Sequence, residues 1–324
     1  MKKVGLIEGF YGKSYEFSSR YELIKSMSTS ELNYYLYAPK EDPFIRNNFD
    51  LTPSESWQNE LKNFIAEARN YDIDVGVGLT PYKEEHIKKF EKKIESLVIL
   101  GCNNISLLFD DLETFDLDKQ LYLYGLAKKE FPEITFDFCP SVYCNELIEK
   151  DLQHNEYFEQ FLQKFPSDGT FYWTGNKVIS TNFSEESEDK LVGLNSDHML
   201  LWDNYFTIDS CPKKINLTNF KHLDKNYIAE KNCYFVNMTG MMRTDQLIIA
   251  LLANLKTGDK DFEEILLEHG LNEDLINMIY LFDPDTRVNL SEKDKKKLHD
   301  IMYTWFHPIK NEWYPYLHNL KNWG

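Results

Sequence analysis

Ile105-Ser106-Leu107-Leu108-Phe109-Asp110-Asp111 is an apolar run that stops at a double negative charge. A short apolar run of this kind reads as a buried strand. Two carboxylates side by side repel each other, and their proximity can push their pKa values apart. Such a pair can supply one ionised and one protonated group at the same pH. Taken alone, Asp-Asp reads first as a helix N-cap with a solvated neighbour. The rest of the chain decides between the two readings.

Further β-prone runs lie at Val4–Glu8, Tyr34–Tyr37, Val75–Leu79, Thr135–Cys139, Thr170–Trp173, Met199–Trp202 and Cys233–Val236, with Ser106–Phe109 completing a set of eight. They recur about every 30 residues, the length of a strand–helix unit. Amphipathic stretches separate them, as at Trp57–Tyr71, Lys89–Leu100 and Lys119–Phe131, and Thr244–Leu255 follows the last. Eight such units predict an α/β fold, a (β/α)8 TIM-type barrel, whose chemistry sits at the C-terminal ends of its strands. Polar residues gather at those ends: Glu8-Gly9, Lys40, Asp110-Asp111, Tyr143, Thr174-Gly175, Asn204 and Asn237. An accidental Asp-Asp would have no reason to be matched at other strand ends. The strand rhythm stops near residue 256. Residues 1–255 are therefore expected to form the barrel, and 256–324 a helical extension packed on it or used for oligomerisation.

The chain has 324 residues, 42% of them hydrophobic and 27% charged, enough for a sizeable core and too apolar for disorder. Its net charge of −17 would repel a nucleic-acid backbone or an anionic membrane, and the basic cluster Lys295-Lys296-Lys297 is too short to reverse that. No run approaches the ~18 apolar residues of a membrane span. No cleavage-site pattern precedes the first strand, and the five cysteines are odd in number without zinc spacing, so free thiols in a cytoplasmic protein are expected. The eight scattered histidines form no ligand pair. No metal or organic cofactor is expected.

Five motifs then fall in order, each at a strand end. They are Glu8-Gly9-Phe10-Tyr11-Gly12, Tyr37-Ala38-Pro39-Lys40-Glu41-Asp42-Pro43, Phe109-Asp110-Asp111, Trp173-Thr174-Gly175 and Trp202-Asp203-Asn204. Together they resemble glycoside hydrolase family 84, the β-N-acetylglucosaminidases that include protein O-GlcNAcases. The resemblance covers roughly residues 4–255. The chain departs from the pattern at Ser14-Tyr15, where the family usually has Pro-Trp, at Glu41 in place of Asp, at Ser210 in place of Tyr, and at Met238 in place of Pro.

The resemblance implies a retaining exo-β-N-acetylglucosaminidase acting by substrate assistance, with the 2-acetamido oxygen of the sugar attacking the anomeric carbon to give an oxazoline. It makes Asp110 the group that orients and polarises the acetamide. Asp111 becomes the general acid and then base, with a pKa expected above that of a free Asp. Tyr143 donates to the acetamido oxygen. Lys40 becomes a donor to a sugar hydroxyl, Asp209 an acceptor from the distal hydroxyls, and Asn204 and Asn237 partners around the ring. The backbone at Gly9 permits close approach, Cys139 lines the acetamido-methyl pocket, Trp202 packs beneath the sugar or its acetamide, and Thr174 lines the cleft. The implied partner is a GlcNAc-bearing glycoside or glycoprotein, with homo-oligomerisation left open. Two rival readings are a barrel that binds GlcNAc without cutting it and a hyaluronidase-like endo-hexosaminidase. The retained aspartates argue against the first and the negative net charge against the second.

Overall fold

The computed structural model describes residues 3–49, 51–113, 115–208, 214–285 and 290–322. Eight parallel strands close into a barrel in sequence order: β1 Lys3–Glu8, β2 Tyr34–Tyr37, β3 Asp74–Leu79, β4 Asn104–Leu108, β5 Thr135–Cys139, β6 Thr170–Trp173, β7 Met199–Asp203 and β8 Cys233–Asn237. β8 pairs with β1 in the register Cys233 to Lys3 through Asn237 to Ile7, which leaves no open edge. The (β/α)8 barrel expected from the spacing is therefore observed, with strand ends within two residues of the sequence reading.

Helices pack outside the barrel. In chain order they are α1 Phe17–Thr29, α2 Glu55–Asn70, α3 Glu84–Lys88, α4 Phe90–Ile99, α5 Leu117–Glu130, α6 Asn145–Ile148, α7 Leu152–Lys164, α8 Lys225–Glu230 and α9 Met242–Thr257. Beyond α9 come α10 Phe262–Glu268, α11 Glu273–Ile276, α12 Glu292–Thr304 and α13 Pro308–Lys321.

The interior is filled by large side chains set against small ones. Ile7, Tyr34, Leu36, Leu108, Tyr172, Leu200, Trp202 and Phe235 form one buried cluster inside the strands. Gly76 and Gly78 on β3 make room for it: a Cβ at Gly76 would lie 2.2 Å from Tyr34 Oη, and one at Gly78 would lie 2.6 Å from a Leu108 methyl. Close packing tolerates no such overlap.

One of the eight units carries no α-helix. Between β6 and β7 there are two short 3-10 turns, Glu185–Glu188 and Ser196–His198. The segment is rich in residues that bond their own backbone and favour turns, including Asn176, Ser180, Asn182, Ser184, Gly193 and Asn195. It is held instead by pairing with the chain before β8: Phe183 N donates to His222 O at 2.7 Å, and Asp224 N to Phe183 O at 3.0 Å. This unit thus presents a folded-back loop at the barrel mouth.

The terminal helices brace α9. The Glu312 carboxylate on α13 accepts from Arg243 N at 2.8 Å, Thr244 N at 2.9 Å and Thr244 Oγ1 at 2.8 Å, and so serves as the N-terminal cap that α9 lacks locally. Trp313 Nε1 donates to Thr244 Oγ1 at 2.9 Å. Glu312→Ala is expected to cost about 1–2 kcal/mol, the usual scale for a lost cap. Urea unfolding reads this as a lower midpoint at unchanged slope. An unshifted midpoint would show that the contact adds nothing to stability.

Candidate active site

The C-terminal strand ends enclose a cavity of about 300 Å³. Every site residue expected from the sequence that is described in the structure lines it: Gly9, Lys40, Asp110, Asp111, Cys139, Tyr143, Thr174, Trp202, Asn204 and Asn237. Asp209 lies outside the described residues.

The two aspartates sit in different environments. Asp110 is only 6% exposed. Its Oδ2 pairs with the Lys40 ammonium, itself buried, and its Oδ1 is buried without a hydrogen-bond partner. Burial alone raises a carboxyl, but the Lys40 cation and then Arg46 outweigh it, and the net direction for Asp110 is downward. Asp111 is exposed and adopts φ +55°, in the left-handed region that Asp tolerates better than most residues. The reversal at Asp111 turns the backbone as it leaves β4, so two consecutive side chains reach the same cavity despite the alternation of a strand.

Two phenols hold Asp111. Tyr143 Oη donates to Oδ1 at 2.8 Å and Tyr11 Oη to Oδ2 at 2.9 Å. Burial, reinforced by the Asp111 charge, pushes both tyrosines upward, so they act as neutral donors. Cys139 is a neutral thiol for the same reason: burial pushes it well above its ordinary value, and the Asp110 charge adds to this. It lines the cavity and is not poised as a nucleophile.

Lys40 is the countercharge of Asp110: its ammonium pairs with that carboxylate, and a buried carboxylate needs such a partner. The ammonium also lies 5.6 Å from the centre of the Tyr11 ring. Asp42 fixes the loop carrying it: its carboxylate accepts from Tyr37 Oη, from Trp57 Nε1 at 3.1 Å and from Phe44 N at 2.8 Å. Glu41, the departure from the family pattern, is exposed and lies outside the cavity lining.

The opposite wall is an amide relay. Gly9 N donates to Asn237 Oδ1 at 3.1 Å, and Asn237 Nδ2 to Asn204 Oδ1 at 2.8 Å. Trp202 Nε1 donates to the same Asn204 oxygen at 2.8 Å, and Asn204 Nδ2 to Val178 O at 2.9 Å. The relay ties the folded-back loop after β6 over the cavity, where Val178 and Ile179 form part of the wall. Thr174 serves that loop too, its hydroxyl donating to Lys177 O at 2.8 Å.

Tyr11, Val178, Ile179 and Thr207 line the cavity and were not singled out from the sequence. Tyr11 lay within a quoted motif and carried a signal. The others depend on where distant loops fold.

The beta-N-acetylglucosaminidase family model matches residues 4–266. The chain belongs to that family, glycoside hydrolase family 84. Protein O-GlcNAcase of Mus musculus is 27% identical over 265 residues, covering 71% of this chain and 28% of the mouse protein. The Rattus norvegicus protein of the same name matches equally. The chain thus spans less than a third of the length of these curated relatives. Among solved structures, an O-GlcNAc hydrolase mutant from Thermobaculum terrenum aligns with TM-score 0.79 at 20% identity, over 100% of this chain and 82% of that one. CpGH84B aligns with TM-score 0.75 at 23% identity, over 94% of this chain and 58% of that one. Both likenesses establish the barrel fold.

The depressed Asp110 carboxyl contributes stability above the pKa of an unfolded Asp, and that contribution is lost as pH falls through the folded value. Lys40→Met removes the nearer cation and leaves Arg46. The acidic limb of kcat/KM on a GlcNAc aryl glycoside is expected to move to higher pH, with activity at neutral pH reduced about tenfold or more. An unchanged acidic limb would show that Lys40 does not set the charge of Asp110. Gly9→Ala would bring a Cβ within 2.7 Å of the Trp202 ring. It is expected to raise KM by displacing that ring, and an unchanged KM would count against the packing described.

Proposed function

We propose that this chain is a retaining exo-β-N-acetylglucosaminidase, O-GlcNAcase-like in its choice of terminal β-linked GlcNAc, and that the acetamido group of the substrate is its nucleophile. The observation that carries the reading is the inequality of the two adjacent carboxylates. One is buried and charge-paired, and the other is exposed and held by two hydroxyl donors. Family membership and a cavity of about 300 Å³, suited to one sugar ring, support it.

In this reading the acetamido N–H is directed at the free Oδ1 of ionised Asp110. As the acetamido oxygen bonds to the anomeric carbon, positive charge develops on nitrogen, and the fixed carboxylate stabilises it. The glycosidic C–O bond breaks, and Asp111, protonated in the complex, gives its proton to the departing oxygen. A water molecule then opens the oxazoline. Asp111 takes a proton from that water, and the acetamide is restored with the β configuration retained. Substrate-assisted hydrolysis of this kind needs no enzyme nucleophile.

Tyr143 donates its single O–H to Asp111. In this reading that hydrogen turns to the acetamido oxygen as the sugar binds.

Hydrolysis of 4-methylumbelliferyl N-acetyl-β-glucosaminide, with and without a thiazoline mimic of the oxazoline, tests the reading. Turnover blocked by the thiazoline is the expected result. Thiazoline binding without turnover would favour the GlcNAc-binding alternative. Asp111→Ala is expected to slow glycosides with poor leaving groups by 10²-fold or more, roughly the scale of lost general acid catalysis, and activated phenols much less. Equal losses on both would remove Asp111 from the acid role. Asp110→Asn is expected to slow both, because cyclisation precedes either departure.

A further inference from the structure

We propose that Asp245, on the first turn of α9, is a positioning residue that locks the β1–α1 loop to the β8–α9 loop and so holds Tyr11 and Asn237 in register at the cavity. No function described above uses this carboxylate. It is fully inside the protein, at 1% exposure. Its Oδ2 accepts from Tyr15 Oη at 2.5 Å, and its Oδ1 accepts from Thr239 N at 2.9 Å and Thr239 Oγ1 at 2.8 Å. A buried carboxyl group hydrogen-bonded by three donors from two separate loops joins them, with burial pushing its pKa up to about 7.

Each loop carries a cavity residue a short distance from its Asp245 contact. Tyr15 lies four residues beyond Tyr11, whose hydroxyl holds Asp111, and Thr239 lies two residues beyond Asn237. Both loops are anchored at their other ends. Tyr15 N donates at 3.2 Å to Glu8, which Arg20 grips through two nitrogens at 2.8 and 2.9 Å and Tyr35 Oη reaches at 2.6 Å. Thr239 Oγ1 accepts from Met241 N at 3.0 Å, closing the turn into α9. Between them lies Phe10, whose ring meets Tyr15 edge-on at 5.5 Å and covers Gly240, where φ is +78° and a Cβ would come within 2.8 Å of the ring.

Tyr15 supplies one hydrogen-bond donor on an aromatic frame, as a Trp would. What the position requires, on this account, is a donor aimed at Asp245.

The proposal rests on the hydrolase reading for its effect on rate, but not for its effect on the loops, and the test separates the two. Hydrogen exchange by mass spectrometry is compared among the unmodified chain, Tyr15→Phe, Asp245→Asn and the double variant. Exchange across residues 10–16 and 238–242 is expected to quicken together in each single variant and no further in the double. On a glycoside with a poor leaving group, each single variant is expected to lower kcat about tenfold with little change in KM, as for a catalytic group held slightly out of place. The double variant is expected to match the singles, and Tyr15→Trp to restore most of the rate. Faster exchange in only one loop, losses that multiply in the double variant, or full activity in Tyr15→Phe would each overturn the proposal. An unmodified chain that lacks hydrolase activity would refute the functional reading, and the exchange data would still decide whether Asp245 joins the loops.

Discussion

Asp110 is a carboxylate taken out of water, and it needs a positive partner to stay ionised there. An unpaired buried carboxylate relieves its desolvation by taking a proton. The Lys40 ammonium prevents that, with Arg46 as a second cation. A buried ion pair adds little net stability over an apolar pair, because both charges must leave water. In the proposed mechanism its value lies in holding a full negative charge beside a cavity where the substrate develops a positive one. Much of the surrounding structure follows from that need. Asp42 fixes the loop that delivers Lys40, and β4 ends where burial gives way to the exposed turn at Asp111.

The barrel supplies what a flexible loop could not. Its closed register sets the strand ends at fixed separations, and its packed interior gives them a rigid floor. The amide relay from Gly9 through Asn237 and Asn204 to Val178 runs along that rim and joins β1, β8, β7 and the loop after β6. Asp245 adds a joint above the rim, and Glu312 caps the helix that carries it. The helical extension is thereby connected to the cavity through hydrogen bonds, not merely packed against the barrel.

The strands were legible because buried parallel strands read as short continuous apolar runs, and Ile105–Phe109 is such a run. The cavity residues were legible because polar side chains at the ends of apolar runs have few reasons to be there other than a shared site. The helix α1 was harder to read: its buried face includes Arg20, a charge whose partner Glu8 lies on another element. Asp245 was hidden in the same way, since a single carboxylate in an apolar helix gives no sign of the loops it will meet. The missing helix between β6 and β7 follows from local turn chemistry, but the position of Val178 and Ile179 does not. It depends on Asn204, 26 residues further along the chain. Lys40 lines the cavity, where its position at a strand end put it. Its ion pair with Asp110 only becomes visible once β2 and β4 are brought together.

The most direct test of the central claim is the rate of hydrolysis along a series of aryl glycosides whose N-acetyl methyl carries zero to three fluorines. Fluorine withdraws electrons from the acetamido oxygen without changing the leaving group. If that oxygen is the nucleophile, with the acetamido N–H held by ionised Asp110, kcat/KM is predicted to fall steeply with each fluorine. A rate indifferent to fluorination would contradict the account and move the nucleophile from the substrate to the protein.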